Sequence, residues 1–441
     1  MDLQNLKLTF IGATSTVTGS KTLIEVEGLK FLIDAGLYQD GMDASSLNWE
    51  DLSFDPEEIS AVFITHAHLD HTGFLPFLIK RGFKGAIYMT RSTAKLAKII
   101  LEDSASLMSD QVNPLYSKAD ATHAISRFKP LHFDETKTHG PLQFSFHKAG
   151  HILGASFIEF HYKDKSFVFS GDLGRFDDPM IGSRDVLVKS DMVVMETTYG
   201  DRNRPPNTMT SELIELLKEV IANKNTLLIP CFALHRAQLI SHLFQEIFEN
   251  HPELKIPMAF NSPMMKEVTK VYTQYAEDFI ANQAELKEEW SKMKFLNGYW
   301  DIEEANSKLP PKIIIASSGM ITGGRIWTHI KALGDDPKTI IFLPGYQSPG
   351  TAGFDLLQGV KTLRSPEGIE IGIKAKIKSS DAFSSHADQE DLLHWIKSTG
   401  VKPNRIYLIH GEDKAKKAFA ELLTQNGFNV HCPHKNESIE L

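Results

Sequence analysis

One run of residues restricts this chain more than any other: Thr65-His66-Ala67-His68-Leu69-Asp70-His71, at the end of the apolar stretch Ala61–Thr65. A buried strand that ends in four potential metal ligands within six residues needs a partner for those ligands. His66 and His68 are two apart, so an extended backbone points both imidazoles the same way. Asp70 and His71 fall at the turn into a helix and can face a second ion. A His-rich surface loop is the plain alternative, but H-x-H-x-D-H after an apolar strand fits two adjacent divalent ions held by nitrogen and oxygen. Composition agrees, because the chain has 18 His and only 2 Cys, too few thiols for a Cys-rich zinc module or a disulfide framework.

Two ions need further ligands, and three strand ends offer them. His151 lies in Ala149–Gly154 (AGHILG), Asp172 in Ser170–Gly174 (SGDLG), and His410 follows the strand-like Ile406–Ile409 and precedes Gly411. A carboxylate placed like Asp172 can bridge two ions. Asp34, at the end of Phe31–Ile33, suits a carboxylate that orients ligands rather than binding metal itself. Each of these residues is weak evidence alone; their shared placement after apolar strands is what counts.

The 441 residues suggest two or three domains. Up to Tyr199 the chain alternates β-rich runs with turns, and Asp201–Thr210 (DRNRPPNTMT) reads as a linker. From Ser211 helices and strands alternate, the pattern of a parallel sheet, and Leu363–Gly368 (LRSPEG) reads as a second boundary. The expected division is 1–205 and 368–441 for a β-rich domain and 206–367 for an inserted α/β domain. A net charge of −9 argues against a generally basic nucleic-acid coat without excluding a local basic channel. No apolar run is long enough to span a membrane, and Met1–Ser20 has no signal-peptide pattern. The two separated cysteines, Cys231 and Cys432, fit a reducing cytoplasm.

The Asp34 strand end, HAHLDH, His151, Asp172 and His410 occur in the motif order of the metallo-β-lactamase superfamily, which the chain resembles. Within that superfamily, Met195–Gly200 (METTYG), Phe383–Asp388 (FSSHAD), Ser317–Arg325 (SSGMITGGR) and Gly345–Thr351 (GYQSPGT) resemble the segments of a β-CASP insertion. The likeness runs from about Leu6 to Gly411. It implies an α/β fold, a metallo-β-lactamase αββα sandwich carrying an inserted α/β β-CASP domain. It also implies two Zn2+ per chain. His66, His68 and His151 would hold one ion, Asp70, His71 and His410 the other, and Asp172 would bridge.

The implied activity is hydrolysis of RNA phosphodiester bonds, endo- or 5′-exonucleolytic, by a hydroxide activated between the two metals. His386 is then the candidate general acid for the leaving 3′-oxygen, oriented by Glu196, which would raise its pKa; Asp70 belongs to the same catalytic group. Phosphate or RNA contacts are expected from Ser317, Ser318, Gly323, Gly324 and Arg325 of the Gly-rich loop, from Arg236, and from Gln347. His at the last motif position, His410, favours single-stranded RNA over DNA as the partner, and a homodimer is compatible with the reading. A DNA-acting relative and a catalytically silent RNA-binding scaffold are the alternatives. The chain departs from the family pattern at His235, where Gly is usual, at Asn261, where Asp is usual, and at Phe354, where Arg is common; these place RNA contacts in question more than catalysis.

Overall fold

A computed structural model describes residues 6–39, 44–109, 111–182, 184–204, 208–275, 279–280 and 282–440. The chain divides into two compact units, Met1–Asn203 with His386–Leu441, and Arg204–Ser385.

The first unit is built on two seven-stranded sheets. One sheet places Lys7–Gly12, Lys21–Val26, Leu29–Ile33, Ile59–Phe63, Ala86–Thr90 and Phe128–Leu131 side by side, with Glu437–Glu440 paired to the outer edge of Lys7–Gly12. The other orders Lys137–His139, Leu142–Lys148, Ser156–Tyr162, Lys165–Phe169, Met192–Met195, Arg405–Leu408 and Val430–His431. The inner faces are apolar and aromatic, so the sheets bury them against one another, as in a sandwich. Phe63 from the first sheet meets Phe144 and Phe160 of the second at ring-centroid distances of 4.6 and 5.0 Å. Leu8, Phe10, Phe31, Phe146 and Val194 complete the same core. The helix Arg91–Met108 lies outside, capped by the Thr90 hydroxyl and burying Leu96, Ile100 and Leu101 along one face. This is the α/β metallo-β-lactamase architecture.

The inserted unit is a five-stranded parallel sheet in the order Met258–Asn261, Lys312–Ala316, Thr226–Pro230, Thr339–Pro344, Lys376–Ser380. Its central strands (TLLIP, KIIIA, TIIFLP) are buried along their whole length, the pattern of a parallel sheet covered on both faces. Helices such as Arg236–Asn250 and Ile326–Leu333 follow the strands.

The second boundary differs from the expected one. Residues 368–385 belong to the inserted unit, because Lys376–Ser380 pairs with Thr339–Pro344 and closes the edge of that sheet. Lys376 and Lys378 of this strand both meet Glu219 within the same unit. The polar sequence KIKSS is that of an edge strand, and polarity alone does not say which sheet an edge strand joins. The expected first boundary, at residue 205, lies outside the described residues. Among the described residues no helix is long and apolar enough to cross a membrane.

Phe63 is fully buried between the sheets. Phe63→Ala is expected to cost about 3–5 kcal/mol of stability, read as a lowered midpoint in urea unfolding followed by near-ultraviolet circular dichroism.

Candidate metal centre

The segments carrying the candidate ligands all leave the C-terminal ends of strands in the first unit. Leu29–Ile33 delivers Asp34, Ile59–Phe63 delivers His66 to His71, and Leu142–Lys148 delivers His151. Lys165–Phe169 delivers Asp172, Met192–Met195 delivers Glu196, and Arg405–Leu408 delivers His410. Two local devices hold the approach. Gly171 has φ +53°, and a Cβ there would lie 2.6 Å from Thr65 Cβ, so only glycine lets Asp172 come this close to the His-rich loop. Thr65 is pinned by its carbonyl, which accepts bonds from the Ser156 amide and hydroxyl, both at 2.9 Å.

The donor atoms fall into two groups that share Asp172. His66, His68, His151 and Asp172 make one; Asp70, His71, His410 and Asp172 make the other, with the atoms of each group within 4.8 Å of one another. In the first, His68 Nδ1 lies 3.0 Å from His66 Nε2 and 3.2 Å from His151 Nε2, and Asp172 Oδ2 lies 3.4 Å from His66 Nε2. In the second, His71 Nε2 lies 3.2 Å from His410 Nε2 and 3.3 Å from Asp172 Oδ1. Asp70 Oδ2 is 3.6 Å from His410 Nε2 and 3.9 Å from His71 Nε2.

These separations fit metal coordination. Ligand atoms about 2.0–2.1 Å from a tetrahedral ion stand roughly 3.3 Å apart. Protons alone serve the arrangement poorly. A neutral imidazole carries one N–H, so the three nitrogens of His66, His68 and His151 that face one another cannot all be satisfied by hydrogen bonds among themselves.

Electrostatics point the same way. Burial pushes His68 down to about 4 and, with the neighbouring His71, holds His66 well below the ordinary imidazole range. Both are therefore neutral near pH 7, the form that binds metal. Burial also opposes protonation of His71 and His410, but the Asp172 and Asp70 carboxylates, joined at His71 by Asp34, outweigh it and raise both. Burial opposes ionisation of Asp172, and the imidazoles of His410, His71 and His66 outweigh it, holding that carboxyl well below its usual range. Asp172 thus stays anionic, and its negative charge draws in positive charge that protons or a cation can supply.

Asp34 is 2% exposed and spends both carboxylate oxygens on orientation. Oδ1 accepts the Thr65 amide at 2.8 Å, and Oδ2 lies 2.7 Å from His71 Nδ1, which leaves His71 Nε2 turned to the centre. Two contributors were not singled out in the sequence. The Thr65 hydroxyl bonds the Asp34 carboxylate and His66 Nδ1, and the Thr198 hydroxyl bonds His410 Nδ1 at 3.2 Å. Both stand inside motifs that were visible, but a threonine beside a histidine has no distinguishing spacing.

A third group adjoins the first two: Asp172, Glu196 and His386. Glu196 is buried and accepts the backbone amides of Leu173 at 2.7 Å and Thr198 at 3.2 Å. His386 Nδ1 lies 3.4 Å from Glu196 Oε1 and 3.9 Å from Asp172 Oδ2, with its ring 4.4 Å from that of His151. Tyr199 is buried, its ring edge-on to His386 at 6.0 Å.

The expected phosphate contacts lie in the inserted unit and divide into two kinds. Gly324 and Arg325 are exposed, and Ser317, Ser318 and Gly323 partly so. The Ser318 hydroxyl accepts the Thr322 amide at 3.1 Å, so it shapes the loop as well as lining it. Gln347 is buried, and its Nε2 donates to the carbonyls of Gly319 and Gly345, both at 3.2 Å. It braces two loops and has no amide proton left at the surface for a phosphate, contrary to expectation. Arg236 is half-buried with its guanidinium 5.3 Å over the Phe232 ring. Two of the family departures have local reasons. His235 takes φ +68°, the backbone that glycine adopts cheaply. Asn261 donates from Nδ2 to the buried His329 Nε2 at 2.9 Å, a neutral pair where an aspartate would bring charge.

Two clusters of imidazole and carboxylate sharing one aspartate, on this sandwich, define a metallohydrolase of the metallo-β-lactamase class. The models for the metallo-β-lactamase superfamily, the Beta-Casp domain and the Zn-dependent metallo-hydrolase RNA specificity domain match residues 17–230, 237–356 and 370–433. Ribonuclease TTHA0252 of Thermus thermophilus is 32% identical over 441 residues, spanning 98% of this chain and 100% of that protein. Transcription termination factor FttA of Methanococcus maripaludis is 28% identical, over 92% of this chain and 67% of that protein. Cleavage and polyadenylation specificity factor 73 of Drosophila melanogaster is 29% identical, over 92% of this chain and 60% of that protein. A crystal structure of a protein of unknown function from Enterococcus faecalis V583 shares the fold, with a TM-score of 0.58 at 14% identity over 99% of this chain and 100% of that one. The chain belongs to the β-CASP family of metallo-β-lactamase-fold hydrolases.

Asp34→Ala is expected to weaken metal binding about 10- to 100-fold, because His71 loses the bond that turns its Nε2 inward. Competition with a chromophoric chelator measures this, and unchanged affinity would remove Asp34 from the centre.

Proposed function

We propose that this hydrolase is a ribonuclease that cuts single-stranded RNA at the centre described above, with two Zn2+ ions as its cofactors. The observation that carries the reading is the Glu196–His386 pair set against Asp172, which adds an imidazole that neither of the two ligand groups uses. In this reading His66, His68, His151 and Asp172 hold one ion, and Asp70, His71, His410 and Asp172 the other. The nitrogen-rich donor set with carboxylates suits zinc. When bound, two such ions lower the pKa of water and compensate charge on the phosphoryl oxygens.

The chain's own residues supply the rest. Asp34 and Thr65 fix the rings of His71 and His66. Glu196, pinned by two backbone amides, takes the Nδ1–H of His386 and so fixes its orientation. His386 then holds its other proton at Nε2 and delivers it to the leaving 3′-oxygen, which is a poor leaving group without it. His386 is only partly exposed, so access to water is limited while a substrate oxygen can still reach it. The exposed part of the Gly-rich loop, Gly324 and Arg325, is suited to hold phosphates. The relatives named as a ribonuclease and as cleavage or termination factors support RNA as the substrate.

End-labelled single-stranded RNA and DNA of the same sequence, incubated with the zinc-loaded protein, test this. RNA is expected to be cut, as a ladder by endonuclease action or to mononucleotides by exonuclease action. DNA is expected to survive, and chelation to stop the reaction. His386→Ala is expected to keep two metals per chain by elemental analysis while losing about 10²- to 10⁴-fold in turnover. Full activity in that variant would assign the proton to another group, and an intact RNA substrate with both metals bound would end the ribonuclease reading.

A further inference from the structure

Wholly within the inserted unit, two helices present lysines to one concavity. Pro263–Tyr272 contributes Lys266, Thr269 and Lys270, continued by Thr273, a spacing that puts all four on one side of the helix. Gln283–Ser291 contributes Lys287, Trp290 and Ser291, and Met293–Asn297 closes the far side with Lys294 and Phe295. The groove between them has a volume of about 640 Å³. Four lysines converge on it in a chain whose net charge is −9. Neither Asp nor Glu is among the residues that line it, so the charge facing the groove is positive and suits an anion.

The lysines are not committed to the fold. Lys266 and Lys287 pair with no carboxylate among the described residues; Lys266 instead donates to Asn297 Oδ1 at 3.2 Å. Lys270 meets Glu267 at 2.6 Å and Lys294 meets Glu304 at 3.8 Å, with every partner at least half exposed. Pairs so exposed contribute little and yield readily to a stronger anion.

Aromatic side chains select the anion. Trp290 lines the groove and is only 4% exposed. Beyond the rim, Asn297 donates its backbone N–H to Asp301 Oδ2 at 2.9 Å, tying the groove to the first turn of the helix Tyr299–Ser307. That turn displays Tyr299 and Trp300, 66% and 81% exposed, with ring centroids 5.3 Å apart. Lysines along a groove, followed by exposed aromatic rings, form the combination that holds a single strand: ammonium groups on phosphates and π-faces on bases.

We infer that the Lys266–Lys270–Lys287–Lys294 groove with Tyr299 and Trp300 is a binding track for single-stranded RNA on the inserted unit, separate from the residues that cut. It rests on the ribonuclease reading for its choice of RNA as the polyanion. The track holds substrate by backbone and stacking, without base-edge readout, so it serves RNA of varied sequence.

The experiment uses the full chain carrying His386→Ala, so that RNA is bound without being consumed, and follows anisotropy of a fluorescein-labelled single-stranded RNA across salt concentrations. Lys266→Gln, Lys270→Gln and Lys287→Gln together are expected to make the slope of log K against log salt shallower by about 2, from about 0.7 for each phosphate contact. They are also expected to weaken binding at least tenfold at low salt. Tyr299→Ser with Trp300→Ser is expected to weaken binding roughly tenfold while leaving the slope unchanged. Lys270, Lys287, Tyr299 and Trp300 are exposed and Lys266 partly so, and thermal unfolding of each variant confirms that the fold is kept. Affinity and slope equal to the parent's in both variants overturn the track. So does equal displacement of the RNA by poly-glutamate, which assigns the groove to an acidic protein. Cleavage by the chain that retains His386 is scored separately. No cleavage with groove-dependent binding defeats the ribonuclease reading alone, and cleavage with variant-independent binding defeats the track alone.

Discussion

Asp172 is one carboxylate, 1% exposed, within 3.9 Å of the imidazoles of His66, His71, His151, His386 and His410. An anion so placed has lost its water and must recover the loss from its neighbours. The strand ends are arranged to provide that recovery. Gly171 removes the side chain that would keep Asp172 from Thr65, Asp34 turns His71 toward it, and Thr198 steadies His410. The raised affinity of His71 and His410 for protons is the same demand seen from the other partners: positive charge is needed between Asp34, Asp70 and Asp172. A divalent ion meets that demand more fully than protons do, and it leaves both imidazoles neutral, as ligands.

The sandwich makes this possible by separating two jobs. Its middle is aromatic and apolar, with Phe63 in edge contact with Phe144 and Phe160, and it tolerates no charge. Its strand ends hold the charged groups, each within a few residues of a buried strand, so rigidity in the core becomes precision at the centre. Glu196 shows the coupling most directly. It follows the buried strand Met192–Met195 and is fixed by the amides of Leu173 and Thr198, which positions His386 from a segment 190 residues further along the chain.

Much of the centre was legible because metal ligation needs particular residue types at particular spacings. His66, His68, Asp70 and His71 announce themselves within one loop, and His151, Asp172 and His410 follow apolar runs that end in glycine-containing turns. The structure brings these seven together, with Asp34 behind them. What escaped the sequence obeys no such periodicity. The strand Lys376–Ser380 reads as polar and solvent-facing, and only its pairing with Thr339–Pro344 shows that it completes the inserted sheet. Gln347 stands in a Gly-rich segment that looks open, yet it is buried and its amide is consumed by two carbonyls. Lys266, Lys270 and Lys287 come from two helices separated in sequence, so their convergence exists only in three dimensions.

The inserted unit interrupts the sandwich between Asn203 and His386. His410 therefore leaves the ribosome 339 residues after His71, whose Nε2 it faces. Until then the strand Met192–Met195 lacks its neighbour Arg405–Leu408, and the second ligand group lacks one of its imidazoles. This order of synthesis makes closure of the sandwich, and with it assembly of the second ligand group, a late, long-range event in folding.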